Sequence, residues 1–149
     1  MVFFKSFSDF IKTFKTIQPL SNVNIINTCY KLKIKFFRGV LMRDELVSNN
    51  GGDECFILNL DESSNSGTHW TCLYKKDKAC YYFDSYGFSP PKEIYQYCCE
   101  FTDRYYNTFR IQTPDQVICG HYCIYVLYKL RNVLKFYDIL DELYRYSNT

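Results

Sequence analysis

The sequence predicts one α/β (α+β) domain over residues 1–149, with strands in its middle and helices around them. The length of 149 residues suits a single domain with a real core but is short for two. A hydrophobic content of 47% and an aromatic content of 19% are typical of a folded chain with an aromatic-rich interior. Apolar residues recur at helical spacing near both ends of the chain and form strand-like runs between them.

The first helix is predicted over residues 2–17, within an N-terminal segment of residues 1–18. Its apolar residues lie at helical spacing with lysines between them: Phe3, Phe4, Phe7, Phe10, Ile11, Phe14 and Ile17. We expect this amphipathic helix to dock on the core, because lysine and arginine do not crowd its polar face as they do in membrane-surface helices. Pro19 closes the helix.

A second helix, an extended piece and three strands follow. The helix is expected from Ser21 or Asn22, either of which is an acceptable N-cap, to about Leu32. Residues 36–41 predict a short extended piece, and residues 48–52 a loop. The first of the three strands is apolar nearly throughout, as a central strand should be. The strands are predicted at 54–60, 69–75 and 79–84.

The last two strands form a predicted hairpin whose register bears on chemistry. If Lys76 and Asp77 form the tip and Lys75 pairs with Lys78, His69 lies directly opposite Asp84. Opposite residues share a face with Cβ atoms about 4.5–5.5 Å apart, close enough for an imidazole–carboxylate hydrogen bond. A three-residue turn would instead bring Ser85 opposite His69.

The C-terminal half is predicted to be mainly helical. Pro91 suits the first turn of a helix over residues 92–103, and a short strand follows at 106–111. A buried helix is expected from Cys119 to about Asn132. The chain ends in an amphipathic helix over residues 134–146, within a C-terminal segment of residues 133–149.

Residues 112–123, Q-T-P-D-Q-V-I-C-G-H-Y-C, place a cysteine at a reactive position. A proline-containing turn leads into an apolar run, so Cys119 falls at or near the N-terminus of a buried helix. Free N–H groups and the helix dipole favour an anionic thiolate there. Gly120 keeps steric bulk away from the sulfur. We interpret Cys119 as a nucleophile; the alternative is a buried structural thiol, which is our interpretation of Cys55, Cys72 and Cys80.

A nucleophilic thiolate needs a base that a third group orients. The chain has two histidines. His121 follows Cys119 by two positions on the same helix, so its side chain points about 200° away around the axis. We expect it to be a surface or packing residue. His69 is therefore the candidate base, with Asp84 as the group that orients it.

Acyl transfer also needs hydrogen-bond donors for the developing oxyanion. The backbone N–H groups of Cys119 and Gly120 are candidates at the start of the helix. Gln112 and Gln116 are alternative side-chain donors, and we prefer Gln112 because a residue that enters from a strand end can project across the cleft. Trp70 and Gly67 are candidates for the substrate cleft, although Trp70 could equally be ordinary core.

We expect no cofactor and no metal site. The sequence has no C-x-x-C motif, and no four ligands cluster along it. No apolar run approaches the roughly 18 residues of a membrane span, so we expect no membrane contact. The N-terminus does not have the pattern of a signal peptide, which predicts an intracellular protein with reduced thiols.

Charge is unevenly distributed along the chain. Residues 1–43 carry eight lysines and arginines against Asp9 alone, a net charge of +7, so the remainder carries −5 of the overall +2. A basic end is compatible with binding DNA or another anionic surface. The alternative is a solvated face, which the absence of an arginine-rich block or DNA-reading motif favours.

Three motifs in order, G-T-H-W at 67–70, Y-Y-F-D-S-Y-G at 81–87 and the segment 112–123, resemble the adenovirus-type cysteine endopeptidase family (adenain). Within that family they look most like the versions in virus-like DNA transposons of the Polinton or Maverick kind. The likeness extends upstream through residues 37–40 and 54–61 and covers most of residues 20–132.

The resemblance implies a papain-like cysteine protease fold with the site residues in the permuted order His, Asp, Cys. It implies a central mixed sheet flanked by helices. His69 would be the base, Asp84 its acidic partner, Cys119 the nucleophile and Gln112 the oxyanion donor. The adenoviral enzyme has Glu where Asp84 stands, a departure that we expect to matter little if the hydrogen bond to the base is kept. The implied substrates are viral structural precursor proteins, and the implied location is the host nucleus or the virion, for a protein expected to be a monomer.

Two further partners follow from the resemblance, and two functions compete with it. Stimulation of the protease by DNA is a trait of the family, and in this sequence only the basic N-terminal portion supports it. The adenoviral enzyme is activated by a peptide that is joined through a disulfide to a cysteine shortly before the oxyanion Gln. At the same distance before Gln112 this chain has Phe101, and the nearby Cys98 and Cys99 do not fall at that position. Proteases of SUMO-type modifiers are the alternative family, but their step from Gln to Cys is six residues rather than the seven from Gln112 to Cys119. A non-catalytic domain that binds DNA or capsid is the other alternative.

Overall fold

The structure is a computed structural model that describes residues 4–47, 52–61 and 69–149. Most of the predicted loop at 48–52 and the cleft candidate Gly67 lie outside these residues. Among the described helices, none is long and apolar enough to cross a membrane.

A five-stranded mixed sheet forms the centre of the domain, with its strands in sequence order. The two outer pairs are parallel and the two inner pairs are antiparallel. The predicted extended piece at 36–41 and the three predicted strands are all present. The strands are β1 (Phe37–Met42), β2 (Glu54–Asn59), β3 (Trp70–Lys76), β4 (Ala79–Phe83) and β5 (Asp103–Tyr106).

In the part of the chain that the structure describes, five α-helices surround the sheet, which separates the core into two layers. The larger layer contains the buried face of α4, and the smaller one contains Ile94 and Tyr97 of α3 on the other face of the sheet. Every residue of α4 from Gly120 to Leu127 is buried, as its apolar sequence predicts for a central helix. The helices are α1 (Phe7–Ile11), α2 (Asn22–Lys31), α3 (Lys92–Cys98), α4 (Cys119–Lys129) and α5 (Val133–Ser147).

The predicted helix over residues 2–17 is wrong in length. Among the described residues of this segment, only Phe7–Ile11 is helical. Ser6 caps its start by accepting from the Asp9 backbone N–H. After the helix, both the backbone N–H and Oγ1 of Thr13 donate to the Phe10 carbonyl. The apolar spacing identified part of the buried face: Phe7, Phe10 and Ile11 lie in the core, whereas Ile17 is exposed.

Two boundaries in the C-terminal half also differ from expectation. α3 ends at Cys98 rather than at Asp103. Asp103 instead begins β5, and its backbone N–H donates to the Lys78 carbonyl. The predicted strand at 106–111 was therefore placed too late, since pairing with β4 overrides the local pattern. α4 ends at Lys129 rather than at Asn132, because the Asn132 side chain caps α5 through the Lys135 backbone N–H.

The predicted register of the β3–β4 hairpin is wrong by two residues. Its tip is Asp77–Lys78, so Lys76 pairs with Ala79 and Lys75 with Cys80. Asp77 adopts a φ of +56°, a turn conformation that aspartate tolerates. Because side chains alternate with a period of two, a slip of two residues leaves every side chain on its predicted face. His69 and Asp84 therefore still share a face, as diagonal rather than directly opposed neighbours.

Candidate active site

Cys119 is the first residue of α4, and no side chain caps that end of the helix. Of the eight cysteines only Cys119 and Cys99 are not buried, so the sulfur that was predicted to be reactive is one of two with access to solvent. The start of α4 lies close to the start of β3. A Cβ atom added to Gly120 would lie 3.3 Å from Cδ1 of Trp70, and the Cys123 thiol donates to the Trp70 carbonyl.

His69 and Asp84 meet at the end of the β3–β4 hairpin. His69 immediately precedes β3 and Asp84 immediately follows β4, which brings both to the same edge of the sheet. The Nε2 atom of His69 lies 2.8 Å from Oδ1 of Asp84. The His69 ring also stacks on Tyr86, with centroids 4.5 Å apart and planes inclined by 29°. The predicted imidazole–carboxylate contact is therefore present.

The Cys119 thiol lies close enough to the His69 imidazole to raise the pKa of the ring. Since Nε2 faces Asp84, Nδ1 is the ring nitrogen that remains for the sulfur. Burial alone would lower the pKa of His69. The hydrogen bonds and negative charges of Asp84 and Cys119 outweigh burial and raise that pKa to about 9. The ring is therefore protonated at neutral pH, with an acidic group on each side.

Asp84 is fully buried, and its position is fixed by its own turn and by Asn107. Its Oδ1 accepts from the Tyr86 backbone N–H at 2.8 Å, and its carbonyl accepts from the Gly87 N–H at 2.8 Å. Gly87 has a φ of +75°, and a Cβ there would lie 2.5 Å from the Phe109 carbonyl. The turn therefore requires glycine at this position.

Gln112 is buried and held through both ends of its side-chain amide. Its Oε1 accepts from Ser85 Oγ at 2.6 Å, and its Nε2 donates to the Gln116 carbonyl at 2.7 Å. One N–H of Gln112 is left for another acceptor. The Gln116 side chain is anchored in the same loop, where its Oε1 accepts from Tyr122 Oη and from the Thr113 N–H. The preference for Gln112 over Gln116 as the donor stays a prediction.

The other residues considered from the sequence occupy supporting positions. Trp70 is half-buried, packs against the α4 start, and donates through Nε1 to the Leu20 carbonyl at 3.0 Å. His121 is a packing residue: it is fully buried, meets the Phe14 ring edge-on, and has no partner among the described residues for either ring nitrogen. Burial lowers its pKa to about 4. No group of three potential metal ligands occurs in the part of the chain that the structure describes.

Two residues around the site were missed from the sequence. Asn107 holds the backbone of Asp84, and Ser85 holds the amide of Gln112. The only signal for Ser85 was its place beside Asp84, and Asn107 had been assigned to a strand that lies elsewhere. Their roles depend on contacts between distant segments, which no local pattern reveals.

Comparison with known proteins gives a likeness of fold. No family model matches the sequence, and no curated protein matches it either. Among solved structures, the chain matches the ASFV pS273R protease with a TM-score of 0.59 and 20% identity over 87% of this chain. The selenomethionine form of that protease matches with a TM-score of 0.51 and 16% identity, again over 87% of this chain.

The fold of this chain is similar to that of a viral protease. The predicted α+β fold of the papain-like protease kind, with a mixed central sheet and flanking helices, is thereby confirmed. The matched region spans 66% of the ASFV protease chain, just under two thirds of its length.

Proposed function

We propose that the protein is a cysteine endopeptidase, a thiol hydrolase of the adenain type that cleaves viral or virus-like structural precursor proteins. The observation that carries this proposal is the alignment of Asp84, His69 and Cys119 at the N-terminus of α4. The fold likeness to the ASFV protease and the resemblance of the motifs to adenain and its Polinton relatives support the same function.

In the proposed mechanism, the protonated His69 ring stabilises a Cys119 thiolate, which attacks the carbonyl carbon of a peptide bond. Asp84 keeps the ring oriented through Nε2, so that Nδ1 faces the reacting atoms. The tetrahedral intermediate collapses when His69 gives its proton to the leaving amine, which leaves an acyl-enzyme thioester. His69 then accepts a proton from water as that water hydrolyses the thioester, which releases the Cys119 thiolate and restores the protonated ring.

The oxyanion of the intermediate would be stabilised at the start of α4. The backbone N–H groups of Cys119 and Gly120 lie in the first turn, where they have no intrahelical partner. The remaining N–H of Gln112 is the proposed third donor. Removal of one such donor raises the barrier by about 2.7–4 kcal/mol. Trp70 would border the cleft on this side, where it packs against Gly120.

We propose DNA as an accessory partner, because a set of N-terminal lysines and arginines is exposed. These residues are Lys12, Lys15, Lys31, Lys33, Lys35 and Arg38. Exposed cations can bind phosphates, and such binding weakens as salt concentration rises. Action in the host nucleus or the virion, as a monomer, would accord with such a partner.

The direct test is covalent labelling of the protein with a thiol-reactive peptide probe, followed by mass mapping of the modified cysteine. We expect modification at Cys119 and its loss in Cys119→Ala. Cys99→Ala is the matched control, because Cys99 is the other cysteine that is not buried. Labelling that survives in Cys119→Ala or depends on Cys99 would contradict the assignment.

The same preparation distinguishes the competing functions. A SUMO-type modifier fusion and a virion-protein peptide are offered side by side, and preferential cleavage of the fusion would favour a deconjugating protease. Salt-sensitive DNA binding without any labelling of Cys119 would favour a non-catalytic DNA-binding domain.

A further inference from the structure

We propose that Ser85 and Asn107 are positioning residues of this site: Ser85 sets the orientation of the Gln112 amide, and Asn107 fixes Asp84 beyond the end of β4. This inference rests on the proposed function. It adds two residues that do not touch the reacting atoms but determine where the groups that do touch them lie.

Asn107 continues the sheet where the strands stop. The parallel ladder between β4 and β5 ends at the pair Tyr82 and Tyr106. Beyond it, Asn107 Oδ1 accepts from the Asp84 N–H at 3.1 Å and Nδ2 donates to the Asp84 carbonyl at 2.6 Å. The Nδ2 group also donates to the Phe109 carbonyl at 3.2 Å. A side-chain amide thus replaces a strand as the partner of the Asp84 backbone.

The geometry at Asn107 matters because Asp84 lies outside the regular ladder. Its carboxylate can meet His69 Nε2 only if its main chain keeps the extended direction of β4. Asn107 is itself 3% exposed, so water cannot replace the contacts that it supplies. Truncation of this side chain would leave the Asp84 N–H and the Phe109 carbonyl without these partners and release the turn that carries the carboxylate.

Ser85 acts on the side of the site that holds Gln112, the proposed oxyanion donor. Its hydroxyl donates to Gln112 Oε1, and its carbonyl accepts from the backbone N–H groups of Ile111 and Gln112, both at 2.8 Å. The hydroxyl and the Gln116 carbonyl together select one of the two flip states of the Gln112 amide. In the other state, an oxygen would take the place of the remaining N–H and would repel an oxyanion.

Asp84 and Ser85 are adjacent in the chain, so the group that orients the base and the group that orients the proposed oxyanion donor lie in the same turn. One residue of the pair orients the base, and the next orients the proposed oxyanion donor. The segment from Asn107 to Gln112 contacts both of them. We therefore expect the two positioning residues to affect different steps, even though they hold the same turn.

Two small probes separate those steps. Iodoacetamide alkylates a thiolate by direct displacement and forms no oxyanion, whereas p-nitrophenyl acetate acylates it through a tetrahedral oxyanion. We expect Ser85→Ala to lower the rate of Cys119 acylation about 100-fold and to leave the alkylation rate within about 2-fold of wild type. Ser85→Thr retains the hydroxyl and should recover most of the acylation rate.

Asn107→Ala should behave differently, because it acts through Asp84 and His69. We expect both rates to fall and the pH profile of alkylation to change, since the ring that stabilises the thiolate is no longer held. Tyr97→Phe is the matched control: it removes a hydrogen bond from Tyr97 Oη to Glu54 Oε2 of 2.9 Å on the other face of the sheet. That variant should change neither the rate ratio nor the pH profile.

A double-mutant cycle makes the Ser85 role refutable even if one variant folds poorly. If Ser85 acts through Gln112, Ser85→Ala should add little to the acylation defect of Gln112→Ala. Gln112→Ala alone should show the same selective loss of acylation. Equal losses of alkylation and acylation in Ser85→Ala, or normal acylation in Gln112→Ala, would overturn the Ser85 proposal.

Failure of the proposed function gives a different pattern from failure of this inference. If wild-type Cys119 reacts with iodoacetamide no faster than Cys99 and is not acylated, the protease proposal and the positioning roles fall together. If the wild type reacts as expected but Asn107→Ala keeps the wild-type pH profile, only the Asn107 role is overturned.

Discussion

Substitution of Asp84 by asparagine separates the charge of this side chain from its shape. The amide oxygen of asparagine can still accept from His69 Nε2 and from the Tyr86 backbone N–H, which are the contacts of Oδ1. The variant lacks the negative charge beside the imidazole. We therefore expect the fold to persist, the pKa of His69 to fall, and the dependence of stability on pH to change.

The magnitude follows from the pKa of His69. A rise from 6.5 to about 9 corresponds to about 3 kcal/mol of preference for the protonated ring in the folded protein. The His69 side chain is 13% exposed, so solvent screening reduces this value little. Cys119 supplies part of the rise and burial opposes it, so 3 kcal/mol is the net of all three effects and not the share of Asp84 alone.

The sign of the effect fixes the pH window. Because the folded-state pKa of His69 is raised, its stabilisation is fully present below pH 6.5 and is lost as pH rises through about 9. Wild type should therefore exceed Asp84→Asn in free energy of unfolding by about 1–3 kcal/mol at pH 6. The difference between the two proteins should shrink as pH rises and become constant above about pH 9.

The assay is urea unfolding at intervals from pH 6 to pH 10, monitored by Trp70 fluorescence. Other titrating groups cancel in the difference between wild type and variant. Cys119→Ala, measured in parallel, gives the share that the thiol supplies. A difference that stays constant from pH 6 to pH 10 would refute the charge interaction and leave Asp84 as a neutral hydrogen-bond acceptor.

Three further substitutions, one of them paired with a control substitution, test the fold around the site by urea unfolding. His121→Leu should raise the free energy of unfolding at pH 7 by about 1 kcal/mol, because it removes two buried ring nitrogens without partners, and a loss of stability would contradict this. Gly87→Ala should lower the free energy of unfolding by at least about 2 kcal/mol and slow Cys119 alkylation, because a Cβ there would meet the Phe109 backbone. Gly52→Ala is the control: no atom lies within 4 Å of a Cβ at Gly52, so neither quantity should change. Glu142→Ala should cost about 2 kcal/mol, because Glu142 accepts from the Phe7 N–H and from Tyr125 Oη; an unchanged urea midpoint would show that it does not anchor α1.

The elements with strong local signals could be predicted from the sequence. α2 begins where its capping residue predicts, because Ser21 Oγ and the Asn24 side chain satisfy each other's backbone N–H groups. β2 and the hairpin strands followed from their apolar runs. By contrast, the ends of α1, α3 and β5 were misjudged. The start of β5 is set by pairing with Lys78, and the residues after Ile11 leave the helix despite their helical spacing.

The contact between His69 and Asp84 was predicted through a register that was wrong. The inference survived because the error was an even number of residues, which preserves the face of each side chain. An error of one residue would have placed the two on opposite faces. Asn107 could not be found in this way, since its position opposite Asp84 follows from the start of β5 at Asp103, a pairing over a long sequence separation.

The two histidines show why chemistry cannot be assigned from residue type alone. Both are largely removed from water, and burial by itself lowers the pKa of each. His121 packs against the Phe14 ring and has no hydrogen-bond partner among the described residues, so its ring stays neutral and the stability of the fold decreases as pH falls from 6.5 through about 4. His69 has a carboxylate on one side and a thiol on the other, and these groups raise its pKa despite its burial. Because a proton that can be held on the ring and then donated is what thiol-dependent peptide cleavage requires, the partners of His69, rather than its burial, distinguish it as the candidate base.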